Sequence, residues 1–143
     1  MPADHKDYSG TPLWRKLGIV EGSRVHVRGR APGFDDALTA LAPLPPGVSF
    51  LSRTGKDLDV ILAFVTRAAE LRARFGSLAA AIARDGRLWI AWPKKASGLA
   101  TDLDFGTVQR TGLDAGLVDN KSASITDGYQ GLQFVRRRKD RVG

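Results

Sequence analysis

The chain has 143 residues and a formal net charge of +7, a length that accommodates one domain with a sizeable core and excludes two of ordinary size. Hydrophobic residues at 43% and charged residues at 26% exclude wholesale disorder. The absence of cysteine excludes disulfides, thiolate nucleophiles and cysteine-based zinc or iron–sulfur sites, and no stretch approaches the roughly 18 apolar residues of a membrane span.

Residues 1–9 are polar and read as a flexible N-terminal arm. Thr11-Pro12 opens a short helix over residues 13–17, because proline has no N–H to leave unpaired in a first turn, and Gly18 ends it. Residues 24–29 alternate, with Val25 and Val27 on one face and His26 and Arg28 on the other, which predicts a strand. After the loop 29–33, Phe34, Leu38 and Leu41 share one face of a helix over 34–41. Pro43, Pro45 and Pro46 stop it, and residues 48–51 form a short strand. Residues 58–65 are the most apolar stretch and predict a central strand buried on both faces.

Thr66 is the expected cap of the helical run that follows. Leu71, Phe75, Leu78 and Ile82 line its buried side, and Gly76 is expected to divide it in two. Asp85-Gly86 turns the chain into a strand over 88–92. After the loop 93–100, Thr101 stands three residues before Asp104, a relative of the capping box, and opens a helix to about Ala115 that Gly116 ends. Two strands, 117–126 and 132–136, flank Asp127-Gly128 and Gly131 and predict a hairpin.

Strands alternating with helices predict an α/β fold, a small Rossmann-like three-layer sandwich whose mainly parallel sheet ends in a C-terminal antiparallel hairpin. The expected organisation is the arm 1–9, a single domain 10–135 and a basic tail 136–143. In that tail Arg136, Arg137, Arg138, Lys139 and Arg141 stand against Asp140 alone, so more than half of the net charge collects there. The tail is either a solvated end or a set of phosphate contacts for nucleic acid.

In open α/β sheets ligands bind beyond the carboxyl ends of the strands, where strand order reverses. Three loops fall there, residues 29–34, 66–67 and 93–98. Gly29, Arg30 and Gly33 occupy the phosphate-cradle position, but the middle glycine of a nucleotide cradle is absent and Pro32 has no donor. A ribose-binding strand end carries an acid; Ser52 and Arg53 stand there instead, an arginine being suited to a 2′-phosphate. Thr66 ends the central strand. Lys94, Lys95 and Ser97 form a candidate anion loop just past a buried strand, or a rigid turn with solvated lysines.

No catalytic set assembles. His26 lies mid-strand, His5 lies in the arm, and no cluster has metal-ligand spacing. Ser97 has no evident base and no G-x-S-x-G elbow. The acids Asp35-Asp36, Asp57/Asp59 and Asp102/Asp104 read as helix-start, turn or cap residues.

The stretch Trp92-Pro93-Lys94-Lys95-Ala96-Ser97-Gly98, with Ser9-Gly10-Thr11-Pro12-Leu13, Ala31-Pro32-Gly33-Phe34, Leu44-Pro45-Pro46-Gly47-Val48 and Gly116-Leu117-Val118-Asp119-Asn120-Lys121, resembles an uncharacterised family of small bacterial proteins, a domain of unknown function. The resemblance spans residues 9–135 and implies a small standalone protein without an assigned activity. The chain departs from it near the final Gly131-Leu132, with Thr126 and Tyr129 where relatives carry an acid and a tryptophan. More distantly, the glycine loop, the strand opening Leu58-Asp59-Val60, the strand after Asp85-Gly86 and the terminal hairpin resemble class I methyltransferases. The chain is shorter than those catalytic domains and its second strand ends without the acid for the cofactor ribose, which implies a reduced relative.

The residues alone favour a non-enzymatic binding or regulatory module whose partner is a small anionic ligand or a macromolecule. One alternative is a small-ligand or AdoMet-type, methyltransferase-like enzyme, which requires a crevice lined by residues 29–34 and 94–98. Another is nucleic-acid binding through the basic tail, with steep salt dependence. No reaction, cofactor, metal or membrane contact is assigned, and the expected location is cytoplasmic.

Overall fold

The computed structural model describes residues 10–141; the expected N-terminal arm and the last two residues lie outside them. The elements are α1 (Leu13–Lys16), β1 (Arg24–Arg28), α2 (Phe34–Leu38), β2 (Ser49–Phe50), β3 (Leu58–Phe64), α3 (Ala68–Ala81), β4 (Ile82–Pro93), a 3-10 turn (Lys95–Ser97), α4 (Phe105–Asp114), β5 (Leu117–Ser124), β6 (Tyr129–Arg136) and α5 (Arg138–Arg141). Six strands form one sheet in the order β2-β1-β3-β4-β6-β5. β1, β2, β3 and β4 run parallel, and β6 pairs antiparallel with both β4 and β5. The expected α/β sandwich with a C-terminal hairpin is the observed fold.

β3 lies at the centre because both of its faces are apolar. Leu58, Ile61, Leu62 and Ala63 have no exposed surface, and each large side chain so buried contributes about 1.5–3 kcal/mol before entropy is counted. Alternation splits the core in two. Leu58, Ile61, Ala63, Leu88, Ile90 and Trp92 face α3 and α4, while Val60, Leu62, Phe64, Trp89 and Ala91 face α1 and α2. Trp89 is fully buried, and its indole N–H donates to the Leu17 carbonyl at 3.0 Å, tying the end of α1 to the sheet.

Several local expectations are corrected. α2 stops at Leu38, and Leu41 is 57% exposed rather than on the buried stripe; the residue before a proline avoids the helical region, so Ala42-Pro43 cannot extend the helix. α3 runs unbroken through Gly76, where a side chain would meet nothing within 4 Å: the glycine sits on the open side and interrupts no packing. Thr66 does not cap α3. The Ala68 amide donates instead to the Asp102 carboxylate at 2.7 Å, a cap supplied from another part of the chain. Thr101 donates to the Thr66 carbonyl at 2.6 Å, and the side-chain cap of α4 is Asp104, which accepts from the Thr107 amide at 2.8 Å.

β4 begins directly at the end of α3, so Asp85-Gly86 is not a turn before it but an irregularity inside it. The register with β3 jumps from Leu58↔Ile82 to Val60↔Arg87. A Cβ on Gly86 would stand 2.6 Å from the Leu58 carbonyl oxygen, so only glycine fits the bulge. Arg136 closes this corner, donating to the carbonyls of Ala79 and Ile82 at 3.2 and 2.7 Å.

Candidate functional site

The chain leaves β1 toward β2 on one side and returns to β3 on the other, so strand order reverses between β1 and β3. Their carboxyl ends, Arg28 and Phe64, open onto the place where such sheets bind ligands. Gly29 has φ +67°, and a Cβ on it would lie 2.9 Å from the Phe64 carbonyl oxygen. The glycine therefore lets two strand ends approach. Gly33 differs: at φ +84° it sits just before α2, and a Cβ there would meet nothing within 4 Å. Of the two loop glycines, Gly33 borders open space.

Three rings and one guanidinium gather near these strand ends. Phe34 packs edge-on to Phe64, and Phe64 to Tyr129, both with centroids 5.3 Å apart. Arg30 lies 5.9 Å from the Phe34 centroid and 5.8 Å from that of Phe50, and it pairs with Asp35. It spans from the glycine loop to the end of β2, where Phe50 is 37% exposed and Ser52 and Arg53 are exposed. Thr66, at the end of β3, is half-buried and is held through its carbonyl by Thr101. His26 is 7% exposed, and its Nδ1 is 2.8 Å from the Leu51 carbonyl, a structural tie between β1 and the end of β2.

The 93–98 stretch is a turn stapled to the hairpin. The Lys94 amide donates to the Gly128 carbonyl at 2.8 Å and its ammonium to the Ser124 hydroxyl at 2.7 Å. Ser97 donates to the Lys94 carbonyl at 2.7 Å and accepts from the Leu99 amide at 3.1 Å. Lys94 and Ser97 thus have structural partners, while Lys95 is exposed. Its charge helps hold the Asp104 carboxyl below the ordinary carboxylate range, after the larger effect of the hydrogen bonds from Thr107.

A single crevice lined by 29–34 and 94–98 is not what forms. A groove of about 390 Å³ lies against Pro32, Gly33 and the hairpin turn 124–128. A second, of about 600 Å³, lies against Trp92, Lys94, Lys95 and Phe105, and shares no lining residue with the first. Gly29, Arg30, Arg53 and Thr66 line neither. At the opposite end of the parallel strands, Arg136 borders a third groove with Lys56, Arg84 and Asp140. Arg138, Lys139 and Arg141 lie on α5, and Arg137 just precedes it. Among the described residues no group of three or more His, Asp or Glu is placed to hold a metal.

Sequence reasoning missed the ring contacts of Tyr129 and Phe64, and it read Asp102 as a cap without assigning it to α3. Their roles depend on pairings across at least thirty positions, for which the sequence carries no local signal.

At the strand-order reversal Gly33 leaves room for close backbone approach, while Ser52 and Arg53, exposed at the end of β2, offer polar groups but no acid.

No protein-family model matches the chain, and no curated protein matches it in sequence. Its likeness is in the fold, and the solved structures it resembles include several SAM-dependent methyltransferases. Magnesium protoporphyrin IX methyltransferase from Synechocystis with bound SAH superposes with a TM-score of 0.54 at 14% identity, over 82% of this chain and 75% of that one. A TehB-like SAM-dependent methyltransferase from Corynebacterium glutamicum gives 0.53 at 12% identity, over 93% and 90%. Ribosomal protein L11 methylase from Lactobacillus delbrueckii gives 0.56 at 12%, over 88% and 75%.

Proposed function

We propose that this protein is a methyltransferase-like, small-ligand protein that takes S-adenosylmethionine in the crevice between the ends of β1 and β3. The observation that carries the reading is the reversal of strand order at the glycine loop, with Gly33 open to the crevice. The likeness to structures whose names state SAM or SAH as ligand supports it over a non-enzymatic module. Membership of the small bacterial family rests on the 92–98 stretch and its companion motifs alone.

When bound, the cofactor supplies an electrophilic methyl group on a sulfonium. Transfer of such a group to an acceptor lone pair needs alignment and exclusion of water more than acid–base groups, so the missing catalytic set does not argue against it. The chain's part is positional. Gly33 admits the ligand, Ser52 and Arg53 meet its ribose, and Phe34, Phe64 and Tyr129 make a dry floor. Arg30 must leave the faces of Phe34 and Phe50 for a flat base to stack there.

The test is an amide NMR titration with S-adenosylmethionine, with NADP for comparison. Saturable shifts centred on Gly29 to Gly33, lost in Gly33→Val, are expected. No shift at millimolar S-adenosylmethionine overturns the reading. A second reading, contact with nucleic-acid phosphates, is favoured by the basic residues of α5 and by Lys56 and Arg84 beside them. It requires binding that falls steeply with salt and weakens in Arg138→Glu/Lys139→Glu.

A further inference from the structure

We infer that the groove between the end of β4 and the start of α4 is a binding site for a flat, apolar molecule that ends in a carboxylate. This goes beyond the adenosyl reading and does not rest on it. The groove is on the α3–α4 face of the sheet, whereas Gly33 and the 390 Å³ groove are on the α1–α2 face.

Three observations define its chemistry. Its walls are mostly apolar: Trp92 and Leu103 are 2% and 7% exposed, and Phe105, edge-on to Trp92 at 6.5 Å, leaves 45% of its surface in solvent. A ring exposed to that extent beside a cavity of about 600 Å³ is a surface that an apolar ligand would cover. Second, Trp92 is the odd tryptophan. Trp14 and Trp89 each donate their indole N–H to a backbone carbonyl at 3.0 Å. The Trp92 N–H has no acceptor among the described residues and is not sealed from solvent, so the donor reaches the surface of a side chain that is otherwise almost fully buried. A donor left without a partner in the protein is available to the acceptor of a ligand.

Third, the groove carries two ammonium groups against one carboxylate. Lys94 is held by the Ser124 hydroxyl. The Lys95 ammonium makes no hydrogen bond or ion pair among the described residues. Asp104 is occupied by the Thr107 amide. The balance is positive, so the matching ligand is an anion, and a carboxylate is the group that accepts from both an indole N–H and an ammonium. Its apolar body would then lie along Leu103 and Phe105.

The experiment follows the three indole N–H resonances of the labelled full chain during titration with 2-naphthoate, each resonance assigned through its bonds. The expected result is a saturable shift of the Trp92 resonance, with those of Trp14 and Trp89 unmoved. Lys95→Gln and Phe105→Ala change exposed side chains and leave the fold intact, so they test the site itself. Each is expected to weaken binding, Lys95→Gln by about tenfold, the scale of one charge-assisted hydrogen bond. The neutral alcohol 2-naphthalenemethanol should bind the wild type about as weakly as naphthoate binds Lys95→Gln. The inference is overturned if naphthoate moves no resonance saturably, moves those of Trp14 or Trp89 as strongly, or binds Lys95→Gln unchanged. Adenosylmethionine binding reads on the amides of Gly29 to Gly33, so failure of one site is distinguishable from failure of the other.

Discussion

On one face of the sheet lie α3 and α4, 14 and 10 residues long; on the other lie α1 and α2, with four and five. The long helices bury continuous stripes, and α4 comes so close to β6 that a Cβ on Gly112 would overlap the Phe134 ring, 2.0 Å from its nearest carbon. Helices of one turn are not stable alone. Those on the thin face are held by individual long-range bonds, from Trp89 to Leu17 and from Trp14 to Ala42. The contrast shows where each property resides. The thick face carries the cohesion of the domain, and the thin face leaves the glycine loop uncovered, which is what a ligand at the strand-order reversal requires.

The largest effect expected from this contrast comes from Gly112→Val. The branched side chain has no space against Phe134, and overpacking at a helix–sheet contact should cost about 3 kcal/mol, read as a drop in the urea midpoint. A near-neutral result would show that α4 is not clamped to the sheet. Next comes Trp89→Phe, which leaves the buried Leu17 carbonyl without its donor at a cost of about 2 kcal/mol. Amide exchange should accelerate over residues 13–19 and remain slow in α3. Uniform acceleration would mean that the two faces do not differ in this way.

Asp102→Ala removes the side-chain acceptor of the Ala68 amide and should cost about 1 kcal/mol, with faster exchange confined to the first turn of α3. The smallest effect is a pH dependence at Asp104. Its carboxyl titrates below the ordinary range because Thr107 donates to the charged form. A folded-state pKa below the unfolded one contributes stability at neutral pH that is lost as pH falls through the folded value. Fraying of the first turn of α4 is therefore expected only below about pH 4. The Thr107 amide shift should report it and should be flat in Asp104→Asn.

Much of the fold was legible because it is written in local periodicity. The apolar run at 58–65 could only be a central strand, Gly116 ended α4 where its φ of +92° places it, and the 127–128 turn joined two antiparallel strands. The candidate site was legible in position but not in shape. Loops 29–34 and 93–98 do lie at the same end of the sheet, yet alternation along β4 sends Trp89 and Trp92 to opposite faces, and the hairpin turn between them makes two grooves of one expected crevice. Lys94 and Ser97 read either as anion ligands or as parts of a rigid turn, and only the fold shows the Ser124 hydroxyl and the Lys94 carbonyl to which they donate.

The sequence by itself determined the order of elements and the parallel sheet with its final hairpin, since these follow from burial patterns within a few residues. Only the tertiary structure decided that Asp102 caps a helix it does not belong to, that Gly86 is a bulge and not a turn, that Arg30 spans two aromatic rings, and that Trp92 keeps a donor unpaired. Each of those depends on which atoms lie opposite one another, and the chain brings such atoms together only when it folds.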